Sequence, residues 1–331
     1  MPVATPSSPE PITRAGRPAP LPIARSHCVR FTPDGTRLVV VGQRVAIWNL
    51  RTRKRQGAYR PFAHPSHLDI APSGLHAVVK STSGALCVMT LDDAPSMRAL
   101  PHRFGEGAPA LFSADGEAIV DGCWGGQFTV WSTATGKPVL GDTIAGAMIT
   151  TLACDARREQ FAFHRQPMRD GRSTPVPDEA LVIRRWPIYD NVEITLGAAW
   201  GHRTVPAFSP DGRHLAVAQL RALTVIDVTN GVALASRALD GKPGAGQAVA
   251  WSPDATRVAC IEAHQVSFFD ATTLERRARY PVDYACDVAF SPNGRQVALG
   301  SWVKGVLLSV DDLEPSSDLD EVACGPHPDD D

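Results

Sequence analysis

Residues 208–227 read FSPDGRHLAVAQLRALTVID. Pro210 presets φ for the second position of a tight turn, Asp211 ties down the local backbone, and Gly212 accepts a positive φ. Two short alternating runs follow, Leu215-Ala-Val-Ala218 and Leu223-Thr-Val-Ile226, separated by a break. That is the pattern of β-strands joined by tight connections. No window of a dozen residues in the chain carries an apolar period of 3.6, so helices are expected to be rare.

The same stretch recurs along the chain. Phe31-Thr-Pro-Asp-Gly35, Ile70-Ala-Pro-Ser-Gly74, Phe112-Ser-Ala-Asp-Gly116, Leu152-Ala-Cys-Asp-Ala156, Phe208-Ser-Pro-Asp-Gly212, Trp251-Ser-Pro-Asp-Ala255 and Phe290-Ser-Pro-Asn-Gly294 align as seven copies. Their first residues are 39, 42, 40, 56, 43 and 39 positions apart, a repeat of about forty with one long interval. Further second runs, Val45-Ala-Ile-Trp48, Phe128-Thr-Val-Trp131 and Val266-Ser-Phe-Phe269, make each unit a four-stranded meander. The long interval holds RQPMRDGRSTPVPDEA, residues 165–180, which by composition is a surface loop between the second and third strands of the fourth unit.

A Phe-Ser-Pro-Asp-Gly turn followed by a strand ending in Trp and a small polar or acidic residue resembles the WD-repeat β-propeller family. The resemblance covers about residues 20–311 and is to a divergent, bacterial member. The terminal pair reads Trp48-Asn49, Trp131-Ser132, Ile226-Asp227 and Phe269-Asp270, with no intact Trp-Asp, and the family's Gly-His mark survives only at Gly201-His202. The resemblance implies an all-β fold, a seven-bladed β-propeller of four-stranded antiparallel blades. A ring of blades leaves no exposed sheet edges. Because the segment after residue 310 makes a poor strand, Leu21-Pro-Ile-Ala-Arg25 is expected to complete the last blade, so that an N-terminal strand closes the ring. The domain organisation read from this is a disordered Pro/Ser-rich tail at 1–18, one propeller at 19–311, and an acidic disordered tail at 312–331.

Composition sets outer limits on function. The chain of 331 residues is 44% apolar and 21% charged, which describes a folded protein. With 33 basic and 35 acidic side chains the net charge is −2, so no global field gathers nucleic acid or an anionic membrane. The seven cysteines are scattered without a Cys-x-x-Cys pair, as suits reduced thiols. No apolar run reaches the roughly 18 residues of a membrane span and the first twenty residues lack a secretory signal, so a cytoplasmic location is expected.

In the family's geometry the loops between second and third strands and those joining consecutive blades share one face, the usual binding face. That frame places Phe104, Trp124, Trp200, Tyr284 and Trp302 there, with Arg44, Arg103, His202, Arg203, Arg221 and Lys304. Trp, Tyr and Arg are the common anchors of protein interfaces. On the opposite face Arg51-Thr-Arg-Lys-Arg55 reads as a solvated hairpin tip, or as a contact for phosphate or an acidic partner. His64-Pro-Ser-His67 with Asp69, and Glu262 with His264, are placed in loops and read as ordinary loop histidines and carboxylates. No metal and no cofactor are expected.

Walker, nucleophile-elbow and zincin motifs are absent from the sequence, and no catalytic residue is assigned. The function expected is therefore a non-catalytic protein–protein interaction scaffold or adaptor. The resemblance implies a protein partner such as a signalling kinase, a switch ATPase, or a defence or assembly component. The alternatives are a metal-dependent, lactonase-like propeller hydrolase, for which the innermost strands considered offer only the acid Asp287, and a nucleic-acid-binding module working through Arg51, Arg53, Lys54 and Arg55.

Overall fold

The structure, a computed structural model, describes residues 19–101, 105, 107–168, 179–186, 193–196, 204–219, 221–239 and 248–313, with the backbone alone for 193–196. Each repeated turn reverses the chain between the first two strands of a sheet. In the fifth copy Ser209 Oγ donates to Asp211 Oδ1 at 2.6 Å, and the same Asp oxygen accepts from the Arg213 N–H at 3.0 Å. Ser209 Oγ in turn accepts from the His214 N–H at 2.9 Å, tying the turn to the strand that follows. Ser113, Ser252 and Ser291 repeat the side-chain pairing with Asp115, Asp254 and Asn293, and Thr32 does so with Asp34. The backbone then needs a left-handed residue, and Gly35, Gly74, Gly116, Gly212 and Gly294 supply it.

The fourth copy corrects the sequence alignment by two residues. Cys154 ends the inner strand there, the Asp155 N–H bonds to the Gln160 carbonyl as Ser209 bonds to His214, and Arg158 takes the glycine position at φ 57°. The Asp155 carboxylate receives the Glu159 and Gln160 N–H groups, replacing the serine hydroxyl. The geometry of the turn is kept while every letter of its signature is lost.

Seven antiparallel four-stranded sheets result. Their inner strands are Cys28–Phe31, Pro65–Ile70, Leu111–Phe112, Ala147–Cys154, Val205–Phe208, Val249–Trp251 and Ala285–Phe290, here numbered as blades 1 to 7. Each inner strand touches the next and the seventh touches the first, so the sheets close a ring. The chain is a seven-bladed β-propeller.

Seven apolar clusters fill the seven seams between blades. Between blades 2 and 3, for example, Val78, Val88, Phe112, Ile119 and Trp131 pack together. Central strands such as Arg37–Val41 and Ala118–Gly122 are buried on both faces, whereas the outer strand Pro138–Thr143 is largely exposed. Each fully buried Val, Leu, Ile or Phe side chain among these contributes about 1.5–3 kcal/mol through removal of its apolar surface from water.

The last blade is built from both ends of the described chain, as the sequence predicts. Leu21–Ile23 pairs antiparallel with Gly305–Ser309, Leu21 opposite Leu307 and Ile23 opposite Gly305. Ile23 is 1% exposed and lies in the cluster that joins blade 7 to blade 1. On the turn face, Gly74 lies against Pro33, Gly294 against Pro253 and Gly35 against Pro292, so neighbouring turns interlock. In blade 4 the loop expected at 165–180 is shorter than the sequence suggests, because Arg165–Pro167 continue the strand Gln160–Pro167 and Ala180 begins the strand Ala180–Arg185; the two are joined by residues 168–179, of which 169–178 lie outside the described residues. Among the described residues no helix is long and apolar enough to cross a membrane.

Candidate functional site

The inner strands surround a central cavity of about 1460 Å³. Each strand enters at one face, called here the mouth, and leaves at the floor, where the repeated turns lie. Near the floor the lining is apolar, with Leu111, Phe208, Trp251 and Phe290. Near the mouth it is polar, for a reason rooted in the ladders. In blades 2, 4 and 7 the pairing of inner and second strands skips one residue, Ser66, Thr150 and Cys286 respectively. All three stand four positions before the end of their strand. Such a bulge re-aims the extra side chain, and all three of these residues line the cavity.

The three polar side chains are held differently. Ser66 Oγ lies 2.9 Å from His67 Nδ1. Thr150 Oγ1 lies 2.9 Å from Nδ1 of the fully buried His164, whose Nε2 lies 2.9 Å from a Glu179 carboxylate oxygen. This relay ties the inner strand of blade 4 to the residue that precedes its third strand. Cys286 Sγ donates to the Ser26 carbonyl at 3.1 Å, and burial with the nearby Asp287 pushes its thiol well above the ordinary range. It is therefore a poor nucleophile.

Among the described residues two acids line the cavity, and both are paired. Asp287 accepts from the Val29 N–H at 2.8 Å and from Arg30 Nη1 at 2.6 Å, joining blades 7 and 1. Asp69 accepts from the Phe112 N–H at 2.8 Å and takes a two-pronged contact from Arg158 at 2.7 and 3.0 Å. Arg158 rises from the turn of blade 4, also donates to the Phe112 and Ile70 carbonyls, and so links blades 2, 3 and 4 at the floor.

The cations gather on one side of the mouth. Arg25 and His27 stand in the connection from blade 7 to blade 1, Arg44 between the second and third strands of blade 1, and Arg60 and His64 in the connection to blade 2; all five line the cavity. Trp302 adjoins them from blade 7. Its ring centroid is 4.1 Å from that of His27 and 5.8 Å from the Arg25 guanidinium carbon. Burial, and then the Arg25 charge, lower the pKa of His27.

Of the sequence-predicted site residues, Arg44, Trp124, Arg221, Tyr284, Trp302 and Lys304 all stand in connections on the mouth face. The Trp302 N–H bonds to the Tyr284 carbonyl at 3.0 Å, and their side chains are 44% and 60% exposed. Arg44 and Trp302 line the cavity, while Trp124, Arg221, Tyr284 and Lys304 do not. Arg103, Phe104, Trp200, His202 and Arg203 lie outside the described residues. Arg25, His27, Arg60, Arg158 and the Thr150 relay were not singled out by sequence. An arginine in a connection between strands carries no periodic signal of which way it faces.

The placement of His67 and Asp69 in a loop is corrected: both lie in the inner strand Pro65–Ile70, and Asp69 is engaged by Arg158. His67 is held neutral, its pKa pushed down to about 3 by burial and then by Lys80 and Arg30. Glu262 likewise ends the strand Arg257–Glu262 rather than standing in a loop, is 1% exposed, and receives Arg276 at 2.9 Å. Among the described residues no group of three or more His, Cys, Asp or Glu side chains is arranged to hold a metal ion.

Compared with known proteins, the chain matches no protein-family model and no curated protein by sequence. Its fold is similar to a solved structure described as Kuenenia stuttgartiensis hydrazine synthase. The likeness has a TM-score of 0.70 at 14% identity and covers 90% of this chain and 99% of that one. At that identity it shows the fold alone.

Proposed function

We propose that the protein is a non-catalytic interaction scaffold of the divergent WD-repeat kind, whose mouth face captures a segment of a partner protein. The observation that carries this reading is the patch around Trp302. Trp302, Val303 and Tyr284 expose 44%, 60% and 60% of their surfaces side by side, next to Lys304 and above a cavity rimmed by arginine. Exposed aromatic and arginine side chains around a concavity are what protein interfaces use as anchors. A signalling kinase, a switch ATPase, or a defence or assembly component is the class of partner that the family likeness suggests.

The test is affinity capture of partners by the wild-type chain and by a Trp302→Ala/Tyr284→Ala variant with an unchanged unfolding midpoint. A partner held by the wild type and lost from the variant, then shown by calorimetry with purified protein to bind tenfold or more weakly to the variant, supports the scaffold. A partner held equally by both overturns the use of this face.

A further inference from the structure

The side of the mouth formed by blades 7, 1 and 2 carries Arg25, Arg44 and Arg60, all exposed and lining one cavity. None of the three has an ion-pair partner among the described residues, and the two acids that share the cavity are taken up by Arg30 and Arg158. Three like charges gathered around a concave, partly apolar space repel one another, and the shape of the space concentrates their field. The His27 pKa is lowered in part by Arg25, which is the same field acting on a neighbour. The Nε2 atom of His27 is buried without a hydrogen-bond partner. The Arg25 guanidinium carbon lies 5.8 Å from the Trp302 ring centroid, a cation–π contact that favours the cation at this side of the mouth.

We infer that this site binds an acidic peptide segment, with side-chain carboxylates paired to Arg25, Arg44 and Arg60 and the segment's backbone entering the cavity. The inference deepens the scaffold reading and rests on it. Guanidinium groups match carboxylates through paired N–H donors, which gives the site direction as well as charge. A cavity of about 1460 Å³ exceeds the roughly 300–1000 Å³ that a small ligand occupies, and its opposite wall offers Val205, Pro206, Val249 and Phe208 to apolar side chains. A nucleic acid is the poorer fit. The cations cover one sector rather than a track, and the chain as a whole carries a net charge of −2.

The experiment uses the full chain and fluorescently labelled hexaglutamate, with hexaglutamine and a twelve-nucleotide single-stranded DNA as comparison probes, followed by anisotropy. Hexaglutamate binds at least tenfold more tightly than hexaglutamine, and an Arg25→Gln/Arg44→Gln/Arg60→Gln variant loses at least tenfold of that affinity with its urea midpoint unchanged. Because all three arginines are exposed, that variant keeps its fold; Arg60→Glu alone, expected to weaken hexaglutamate by tenfold, provides a second reading. Equal binding of hexaglutamate and hexaglutamine, or wild-type affinity in both variants, overturns the inference. Tighter binding of DNA than of hexaglutamate, lost in the triple variant, overturns it in favour of a nucleic-acid site. If a partner is captured through Trp302 but hexaglutamate fails, the scaffold stands and its acidic ligand falls. If hexaglutamate binds and no partner depends on Trp302, the acidic site stands and the role of the Trp302 patch falls.

Discussion

Arg158 and Asp69, 89 positions apart in sequence, meet through two hydrogen bonds of 2.7 and 3.0 Å, with side chains 14% and 10% exposed. The pair crosses from blade 4 to blade 2, and Arg158 fastens Phe112 of blade 3 on the way. Breaking a buried pair from one side leaves the other charge uncompensated. Arg158→Ala and Asp69→Asn are each expected to cost about 3 kcal/mol, read as a fall in urea midpoint at constant slope. An unchanged midpoint in either variant refutes the role of the pair.

Two of the seven repeated turns use a residue other than glycine at the left-handed position, Arg158 at φ 57° and Ala255 at φ 58°. The methyl group of Ala255 makes no polar contact comparable with that of Arg158, so Ala255→Gly is expected to raise stability by up to about 1 kcal/mol. Arg158→Gly relieves the same strain but discards the Asp69 contact, and is expected to lower stability. Calorimetric melting of the two variants side by side checks the opposite signs.

His67 links stability to pH. Its folded pKa of about 3 lies below the unfolded value of 6.5, so the unfolded chain takes up a proton that the native ring refuses. The stabilisation is complete above pH 6.5 and is lost progressively as pH falls toward 3. It amounts to about 2 kcal/mol lost by pH 5. Urea titrations from pH 7.5 to 5 should show the wild type losing more stability than His67→Gln by this amount; parallel curves would contradict it.

Lys80 is 1% exposed, and its Nζ donates to Asp121 at 2.6 Å and to the Ala108 and Gly122 carbonyls across the seam of blades 2 and 3. Lys80→Met is expected to cost about 3–5 kcal/mol, because it removes from the seam the buried cation that pairs with Asp121 and donates to the Ala108 and Gly122 carbonyls. Adding Asp121→Leu is expected to restore at least half of the loss, since a buried pair and an apolar pair of similar size are close in free energy. Chemical denaturation of the single and double variants measures both.

Closure of the ring depends on Ile23. Truncating this buried side chain in Ile23→Ala is expected to cost about 2–4 kcal/mol and to speed hydrogen exchange first in Gly305–Ser309, its partner strand. Uniform loss of protection over all blades would argue against a local clasp.

The fold was legible because one turn carries its physics in its letters. Proline, the Ser–Asp hydrogen bond and a left-handed glycine cannot be spread over other positions without rebuilding the reversal. Where chemistry substitutes for identity the legibility ends, as at Asp155 and Arg158, which keep the turn and hide it. The bulges at Ser66, Thr150 and Cys286 were equally hidden, because one skipped rung leaves the surrounding alternation intact. Of the site, Trp302, Tyr284 and Arg44 were visible as anchors of a shared face. Arg25 and Arg60 were not, since only the path of a connection decides whether its arginine looks into the channel.

The pairing of Leu21 with Leu307 also orders events in time. A ribosome delivers the first of these residues almost the whole length of the chain before the second, so the strand that completes blade 7 waits unpartnered throughout translation. Six blades can assemble behind it, but the circle cannot shut until the final hairpin emerges. In an unstructured chain, bringing such distant ends together costs about 5 kcal/mol of chain entropy, and the six folded blades meet most of that cost before the last hairpin docks. Stalled or truncated translation products therefore share one defect: a free Leu-Pro-Ile edge at one end and an open seam at the other, the surface on which quality-control proteases and aggregation would act.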